Sequence, residues 1–184
     1  MRPLFTIHAG EFLIGEYIER SFRNTNVWLP SKDSGIDLLV TSKNNKVSVS
    51  LQVKYSRDFL VTNLSAEFQE PIRAFGWWTF DPKKLQESLA DYWVLLIVGF
   101  SHRTNDYIII KPQELYKRLH ALHPNVAKFH TYLWVTRKGR CWETRDLGNE
   151  DKALVAQGLY KNPLRDFKPF LNNWKPVSKL NRQR

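Results

Sequence analysis

An acid, an amide and a lysine stand at spacings that could bring them together on one side of a β-hairpin. Asp37 lies near the start of one apolar run, and Gln52 and Lys54 lie in the next run of alternating residues. A two-residue turn at Asn44-Asn45 would join the runs, because asparagine tolerates positive φ. Asp37 then stands opposite Gln52, with Cβ atoms about 5 Å apart. Carboxylate and amide oxygens suit hard divalent cations such as Mg²⁺, and a lysine beside them can orient a water molecule.

The two runs have the patterns of β-strands. Residues 47–54 alternate strictly between apolar and polar side chains, which is typical of a strand with one buried face. Residues 36–41 form the preceding strand in this interpretation, and a shorter strand is predicted at 27–29. The polar face of the hairpin would then carry the three residues that could do chemistry.

A helix before the hairpin offers a fourth polar group. Residues 10–23 are predicted to be helical, because apolar side chains recur at every fourth position through this segment. Glu19 borders that apolar stripe and is predicted to reach the site, whereas Glu16 sits further round the helix and is the reserve.

The rest of the chain alternates between predicted helices and strands. Helices are expected at 82–90, with Asp81 as the N-cap, and at 112–121, 149–159 and 163–172. Strands are expected at 92–99, which is apolar enough for a buried central position, and at 106–111, 130–136 and 140–144. Residues 57–79 give no clear pattern beyond a short helix within 66–75. This order predicts an α/β fold around a mixed sheet.

The length of 184 residues suits a single domain. We expect a core over about 10–121, a C-terminal elaboration with a hairpin and helices over 122–174, and a basic tail over 175–184. The only cysteine is Cys141, so an internal disulfide is excluded. Because no secretory leader pattern is visible at the N-terminus, a cytoplasmic location is expected.

The charge balance favours a polyanionic partner. The chain has 28 Lys and Arg residues against 18 Asp and Glu residues, a formal net charge of +10. Arg137, Lys138 and Arg140, at a predicted hairpin tip, are candidates for phosphate contacts, as are Lys175 and Lys179 in the basic tail. Three tryptophans could also stack on nucleobases, although burial is the commoner use of such rings: Trp77, Trp78 and Trp134.

Three segments together resemble the PD-(D/E)xK nuclease superfamily. That superfamily has a helical Glu, an Asp that opens a strand, and (D/E)-x-K on the next strand. The matching segments are GEYIERSF at 15–22, SGIDLLV at 34–40 and SLQVKYS at 50–56. The spacing from Gly15 to Glu19-Arg20 is similar to that of the Holliday-junction resolvase branch. The resemblance covers about the first third of the chain.

The resemblance implies a restriction-endonuclease-like α-β-β-β-α-β core and magnesium-dependent hydrolysis of phosphodiester bonds, with Mn²⁺ as a substitute. Asp37, Gln52 and the Val53 carbonyl would hold the metal, Glu19 would position a metal-bound water or a second ion, and Lys54 would activate the attacking water. The expected substrate is double-stranded DNA. Because cutting both strands needs two active sites, a homodimer or higher oligomer is expected.

This sequence departs from the family pattern at two positions. Ile36 replaces the usual proline, and Gln52 replaces the acid of (D/E)-x-K. A glutamine can bind a cation through its carbonyl oxygen but brings no negative charge. The leading hypothesis is a site-specific DNA endonuclease of restriction or homing type. The alternatives are a structure-specific nuclease such as a junction resolvase, and a non-catalytic DNA-binding module on a degenerate nuclease fold.

Overall fold

The structure is a computed structural model that describes residues 8–31, 34–99 and 104–182. Its helices are α1 (Ala9–Ser21), α2 (Leu60–Asn63), α3 (Ala66–Gln69), α4 (Pro82–Gln86), α5 (Pro112–Leu122), α6 (Asn149–Gln157) and α7 (Lys175–Asn181). Its strands are β1 (Thr25–Trp28), β2 (Leu38–Ser42), β3 (Ser48–Arg57), β4 (Ile72–Phe80), β5 (Tyr92–Gly99), β6 (Thr104–Ile110), β7 (Phe129–Thr136) and β8 (Cys141–Glu143). Within these ranges no helix is long and apolar enough to cross a membrane.

Five strands form a mixed sheet in the order β1-β2-β3-β5-β6. The β3–β5 pair is parallel and the other three pairs are antiparallel. As predicted from its apolar run, β5 lies inside the sheet, and five consecutive residues from Trp93 to Ile97 are buried. The predicted α/β class with a mixed central sheet and flanking helices is therefore confirmed.

Helices α1 and α7 cover one face of this sheet. Ile14 and Ile18 of α1 pack with Leu51 and Val53 of β3, all in one buried cluster. Residues two apart on a strand point the same way, so these odd-numbered positions of β3 face the helices while Gln52 and Lys54 point to the opposite side. The alternation of β3 therefore separates a core-facing row of side chains from a polar row.

A second sheet covers the opposite face. It is antiparallel, with the order β4-β7-β8. Its inner side chains form a second buried cluster with β5, β6, α4 and α5, and this cluster includes Trp78, Leu95, Ile108, Leu115 and Phe129. The outer face of the second sheet packs against α2, α3 and α6 in a third, aromatic-rich cluster. The five-stranded sheet is thus covered on both faces.

The predicted register of the β2–β3 hairpin is confirmed. Leu38 pairs with Leu51, and Val40 pairs with Val49, as the proposed turn requires. The turn itself is wider than two residues: Ser42 N donates to the Val47 carbonyl, so four residues lie between the closing pair. Asn45 adopts a φ of 58°, in the left-handed region that asparagine tolerates.

One prediction from the sequence is wrong, and two segments have structure that the sequence did not indicate; the short helix expected within 66–75 is present as α3. The unclear segment at 57–79 contains β4, and the helix expected at 163–172 is an irregular segment with one short 3-10 turn, Lys168–Phe170. The basic tail contains α7, whose Val177 and Leu180 are buried against the sheet. Apolar or aromatic residues recur at helical spacing at positions 174, 177 and 180. Burial of these three side chains stabilises a packed helix even though the segment is rich in Lys and Arg.

Candidate active site

Asp37, Gln52 and Lys54 line one cleft of about 1000 Å³. Its walls come from the start of α1, the segment before β2, the centre of β3, the end of β4 and the region of α4. The other polar side chains that line it are His8, Glu11, Ser34, Tyr55, Thr79, Asp81, Lys84, Glu87, Ser88 and Lys128. The structure therefore brings together the three hairpin residues on which the sequence interpretation rests.

Asp37 occupies the point where pairing between β2 and β3 ends. The ladder stops at Leu38 and Leu51, and the Asp37 N–H donates to the Leu51 carbonyl at 2.9 Å. The Asp37 Oδ2 atom accepts a hydrogen bond from the Val53 backbone N–H at 2.7 Å. Gly35, with a φ of 78°, turns the chain just before this point. The carboxylate thus replaces a strand partner for Val53, which holds it against β3.

Gln52 and Lys54 are half-buried on the polar face of β3. The Lys54 ammonium lies 5.3 Å from the centroid of the Trp93 ring, a cation–π distance. The Lys54 backbone carbonyl accepts a hydrogen bond from the Trp78 indole N–H at 3.2 Å. Two buried tryptophans therefore support Lys54, one beneath its side chain and one at its backbone.

The acidic residue that α1 brings to the cleft is Glu11. Its carboxylate accepts a hydrogen bond from the His8 backbone N–H at 3.1 Å, which caps the first turn of the helix. Gly10 lets this turn approach β3: a Cβ atom there would lie 3.1 Å from the Tyr55 Cβ and 3.2 Å from a Val53 methyl group. A glycine at this position therefore favours the close contact of the helix with β3 that brings Glu11 to the cleft.

The structure does not place Glu19, or the reserve Glu16, at the cleft. Glu19 is exposed and lies eight residues beyond Glu11, about 12 Å along the helix. Glu16 forms an ion pair with Arg20 at 2.8 Å on the helix surface. Glu11 lies on the same side of the helix as the apolar stripe that suggested Glu19, because it precedes Ile14 by three residues and Ile18 by seven. That spacing is the signal that could have identified Glu11.

The predicted phosphate-contact residues of the β7–β8 hairpin lie away from the cleft. Thr79, which lines the cleft, pairs with His130 at one end of β7, whereas Arg137 follows Thr136 at the other end. The six residue-to-residue steps from His130 to Thr136 span about 20 Å. This distance separates the cleft from all three predicted side chains: Arg137, Lys138 and Arg140. They could contact only a substrate that extends well beyond the cleft.

Lys175 and Lys179 line a different groove. This second groove has a volume of about 640 Å³ and lies where α7 packs near the start of β3 and the end of β6. Its other lining residues include Val49, Tyr92 and Ile109, so it is largely apolar with a basic rim. The two lysines are therefore held on a packed helix rather than on a tail.

Other charged residues of the cleft were not identified from the sequence as site residues. Lys84 and Lys128 bring positive charge, and Glu87 brings negative charge. Asp81 is the N-cap of α4, as predicted: its Oδ1 accepts hydrogen bonds from the Lys83 and Lys84 backbone N–H groups at 2.9 and 3.4 Å. These residues come together only because β4, which carries no clear pattern, crosses the end of β3.

Cys141 lies outside the cleft and is completely buried. Burial in the apolar cluster raises the pKa of its thiol well above the ordinary value, and the nearby Asp106 and Asp166 carboxylates add to this. A thiol in this state is a poor nucleophile, because thiolate is the reactive form. The interpretation of Cys141 as a structural residue agrees with this environment.

The donors around Asp37 suit a hard cation in kind. The Asp37 carboxylate, the Gln52 amide and the Val53 carbonyl of the same strand are all oxygen donors, and the Glu11 carboxylate lines the same cleft. Among the residues that the structure describes, no group of three or more His, Cys, Asp or Glu side chains is placed to hold a metal ion. A metal here would therefore rely on amide and backbone oxygens as well as carboxylates.

No protein-family model matches this chain, and neither does any curated protein or any solved structure. The function is therefore inferred from the cleft itself. The features that bear on it are a carboxylate tied to the backbone, an amide and a lysine on one strand face, and a second carboxylate from a helix.

The hydrogen bond between Asp37 and Val53 predicts a difference between two substitutions. Asp37→Asn keeps an oxygen acceptor for the Val53 N–H, so the free energy of unfolding should change little. Asp37→Ala leaves that N–H without its partner and should lower the free energy of unfolding by about 1–2 kcal/mol. Urea denaturation of both variants measures this difference. Equal stability of the Ala and Asn variants would show that the carboxylate does not hold the strand.

Proposed function

We propose that the protein is a magnesium-dependent nuclease that hydrolyses phosphodiester bonds in DNA. The observation that carries this proposal is the meeting of Asp37, Gln52 and Lys54 in one cleft with Glu11. The PD-(D/E)xK superfamily has an acid at the start of one strand and the residues x-K on its antiparallel neighbour. Asp37 and Val53-Lys54 match that pattern. Apart from α2, α3 and β4, which are inserted between β3 and α4, the order α1, β1, β2, β3, α4, β5 supports a restriction-endonuclease-like core, in which β3 and β5 are the parallel pair.

Asp37, Gln52 and the Val53 carbonyl would hold Mg²⁺, with Mn²⁺ as a substitute. A divalent cation bound there would neutralise charge that develops on the phosphate oxygens. Asp37 is well suited to this place, because its hydrogen bond to the backbone fixes the orientation of its carboxylate. Glu11, which lines the same cleft, takes the role first expected of Glu19 and would position a water molecule.

Lys54 would orient the attacking water and stabilise negative charge on the phosphate. Its ammonium is held over the Trp93 ring, so its position is restricted before a substrate arrives. A group that is preorganised in this way stabilises the transition state without first having to reorganise. Gln52 would contribute an oxygen ligand without adding negative charge, which leaves the cleft more attractive to a phosphate.

DNA is the proposed polymer because the chain is strongly cationic and three lysines line the cleft beside its four carboxylates. The formal net charge is +10, and Lys84 and Lys128 line the cleft beside Lys54. Cleavage of both strands of a duplex would need a homodimer or a higher oligomer. A site-specific enzyme of restriction or homing type fits the additional second sheet, which exceeds what a minimal resolvase core needs.

A second candidate function is DNA binding without cleavage. The observation that favours it is the neutral Gln52 at the place where the family has an acid. Fewer negative charges weaken the affinity for a divalent cation, so a degenerate site is the direct alternative to an active one. A cleavage assay with increasing magnesium separates the two functions.

Magnesium-dependent cleavage of DNA should depend on Glu11 and not on Glu19. Asp37→Asn should abolish cleavage, because it removes the charge of the proposed metal ligand while preserving the hydrogen bond to Val53. Glu11→Gln should lower the maximal rate on the order of 10² or more, a typical effect for a group that acts on the water. Gel assays of plasmid and oligonucleotide cleavage over a range of magnesium concentrations give these rates.

Glu19→Gln is the matched control, since it makes the same chemical change on an exposed turn of the same helix. Its rate should equal that of the wild-type protein. A wild-type protein that cleaves no DNA at any magnesium or manganese concentration would favour the non-catalytic alternative. Loss of cleavage in Glu19→Gln with full activity in Glu11→Gln would contradict the assignment of the helical acid.

Gln52→Glu tests whether the amide is a metal ligand. The substitution keeps the shape and adds a negative charge, so cleavage should reach half its maximal rate at a lower magnesium concentration. Lys54→Ala should instead lower the maximal rate on the order of 10² and leave the magnesium midpoint nearly unchanged. Rate against magnesium concentration for both variants measures the two roles. A Gln52→Glu protein that stays inactive at saturating magnesium would remove Gln52 from the metal site.

A further inference from the structure

One exposed and two half-buried aromatic side chains lie together on the outer side of the second sheet, beside the cleft. Trp77 is 41% exposed, although Trp78 and Trp134 are buried. Trp77 pairs with Tyr132 across β4 and β7, and their ring centroids are 5.7 Å apart. The Phe59 ring lies 5.6 Å from Trp77 on its other side. We call these three rings, Phe59, Trp77 and Tyr132, the aromatic strip.

The aromatic strip is continuous with the cleft along β4. Trp77 and Thr79 are two residues apart on this strand, so they point to the same face and are separated by about 7 Å. Thr79 lines the cleft, and its hydroxyl lies 3.0 Å from the His130 Nδ1 atom. A chain that leaves the cleft past Thr79 therefore meets Trp77 next.

A second connection follows β3. Tyr55 lines the cleft and is 46% exposed, and the exposed Arg57 is the next residue on the same strand face. The Arg57 guanidinium lies 4.7 Å from the centroid of the Phe59 ring. A positive charge therefore lies over the Phe59 ring of the aromatic strip.

The strip ends in a pocket of about 590 Å³. Its aromatic lining residues are Phe68, Phe75, Trp77, Tyr132 and Trp134. Its polar lining residues are Asn63, Ser65, Thr144, Asp146, Asn149 and Lys152. A pocket with flat apolar walls and amide and hydroxyl groups at its edge suits an aromatic heterocycle that also carries hydrogen-bonding groups.

We infer that the aromatic strip binds single-stranded DNA that continues from the cleft. An unpaired base would stack on Trp77, the most exposed ring of the strip, with the perpendicular Tyr132 ring beside it, and Arg57 would contact a backbone phosphate. Stacking needs an open base face, which a duplex does not offer, so the strip selects a single strand. This inference rests on the proposed nuclease function of the cleft and favours a structure-specific substrate over a continuous duplex: a single-stranded segment lies next to the bond that is cut.

Charge favours DNA over an aromatic peptide as the occupant. Arg57 and Lys152 flank the strip and its pocket, and Asp146 at the pocket edge lies 3.2 Å from the Arg145 guanidinium. A polyanion gains from both cations, and the ion pair reduces its repulsion by Asp146. A neutral peptide would gain only the apolar contact. If the strip were built for a peptide, Trp77→Leu would leave binding of a single-stranded oligonucleotide unchanged.

Binding is measured in EDTA, so that no cleavage occurs, with a fluorescein-labelled oligothymidylate and with a duplex of the same length. Trp77→Leu should weaken binding of the single strand on the order of tenfold, because one stacking platform is lost, and should change duplex binding little. Trp28→Leu is the matched control: Trp28 is 50% exposed on β1 and does not belong to the strip. It should leave both affinities unchanged.

Two further measurements keep the inference testable if Trp77→Leu folds poorly. Trp77→Phe, which keeps a flat ring, should bind the single strand more tightly than Trp77→Leu. Arg57→Gln should reduce the slope of log K against log salt for the single strand by about 0.7, the contribution of one phosphate contact. Photo-cross-linking with an oligonucleotide that contains 5-iododeoxyuridine should label Trp77 or Tyr132.

Equal effects of Trp77→Leu and Trp28→Leu on the single strand, or cross-links confined to other residues, would overturn the inference. Cleavage assays in magnesium separate this failure from failure of the proposed function. Cleavage that depends on Asp37 but not on Trp77, even with single-stranded substrates, would contradict only the proposed role of the strip. Binding of the single strand through Trp77 without any cleavage would support the role of the strip and contradict the proposed nuclease activity.

Discussion

The hydrogen bond from the Val53 N–H to the Asp37 carboxylate is the interaction on which the cleft depends. Strand β3 pairs with β2 on one edge and β5 on the other, but pairing with β2 stops at Leu38. Beyond that point the Val53 N–H needs another acceptor, because an unpaired backbone donor in a half-buried strand is costly. Asp37 supplies it. The same carboxylate thus ends the hairpin ladder and lines the cleft.

The remaining elements bring other groups to this carboxylate. Alternation along β3 sends Val53 toward α1 and α7 and leaves Gln52 and Lys54 on the opposite face. Gly10 permits the close contact of α1 with β3 that carries Glu11 to the cleft. Strand β4 crosses the end of β3, where the Trp77 N–H donates to the Ser56 hydroxyl at 3.0 Å. This crossing places the aromatic strip beside the cleft.

The sequence was sufficient where local pattern and local pairing agree. The α1 stripe, the alternation in β3, the apolar run of β5 and the register of the hairpin all follow from neighbouring residues, and the structure confirms them. Strand β4 could not be found in this way. It carries large apolar side chains on both faces, with Phe75 and Trp77 outward and Trp78 and Phe80 inward, so its sequence lacks alternation. Its partner β7 lies about fifty residues later in the chain.

The candidate site shows the same limit. Asp37, Gln52 and Lys54 come from one hairpin, and the sequence was enough to group them. Glu11 was missed because its position depends on the packing of α1 against β3, which the helical pattern alone does not define. The hairpin cations Arg137, Lys138 and Arg140 were grouped with the site by charge, but strand pairing carries them to the far end of β7. Residue types indicated the chemistry, and long-range packing decided which residues share the cleft.

The most direct test of the central claim is the position of a bound divalent cation. Crystals soaked in Mn²⁺ and measured for anomalous scattering should show one peak beside the Asp37 carboxylate, within ligand distance of the Gln52 amide oxygen and the Val53 carbonyl. Crystals of Asp37→Asn treated in the same way should lack that peak. A wild-type crystal that binds Mn²⁺ only elsewhere, or a peak that persists in Asp37→Asn, would contradict the account.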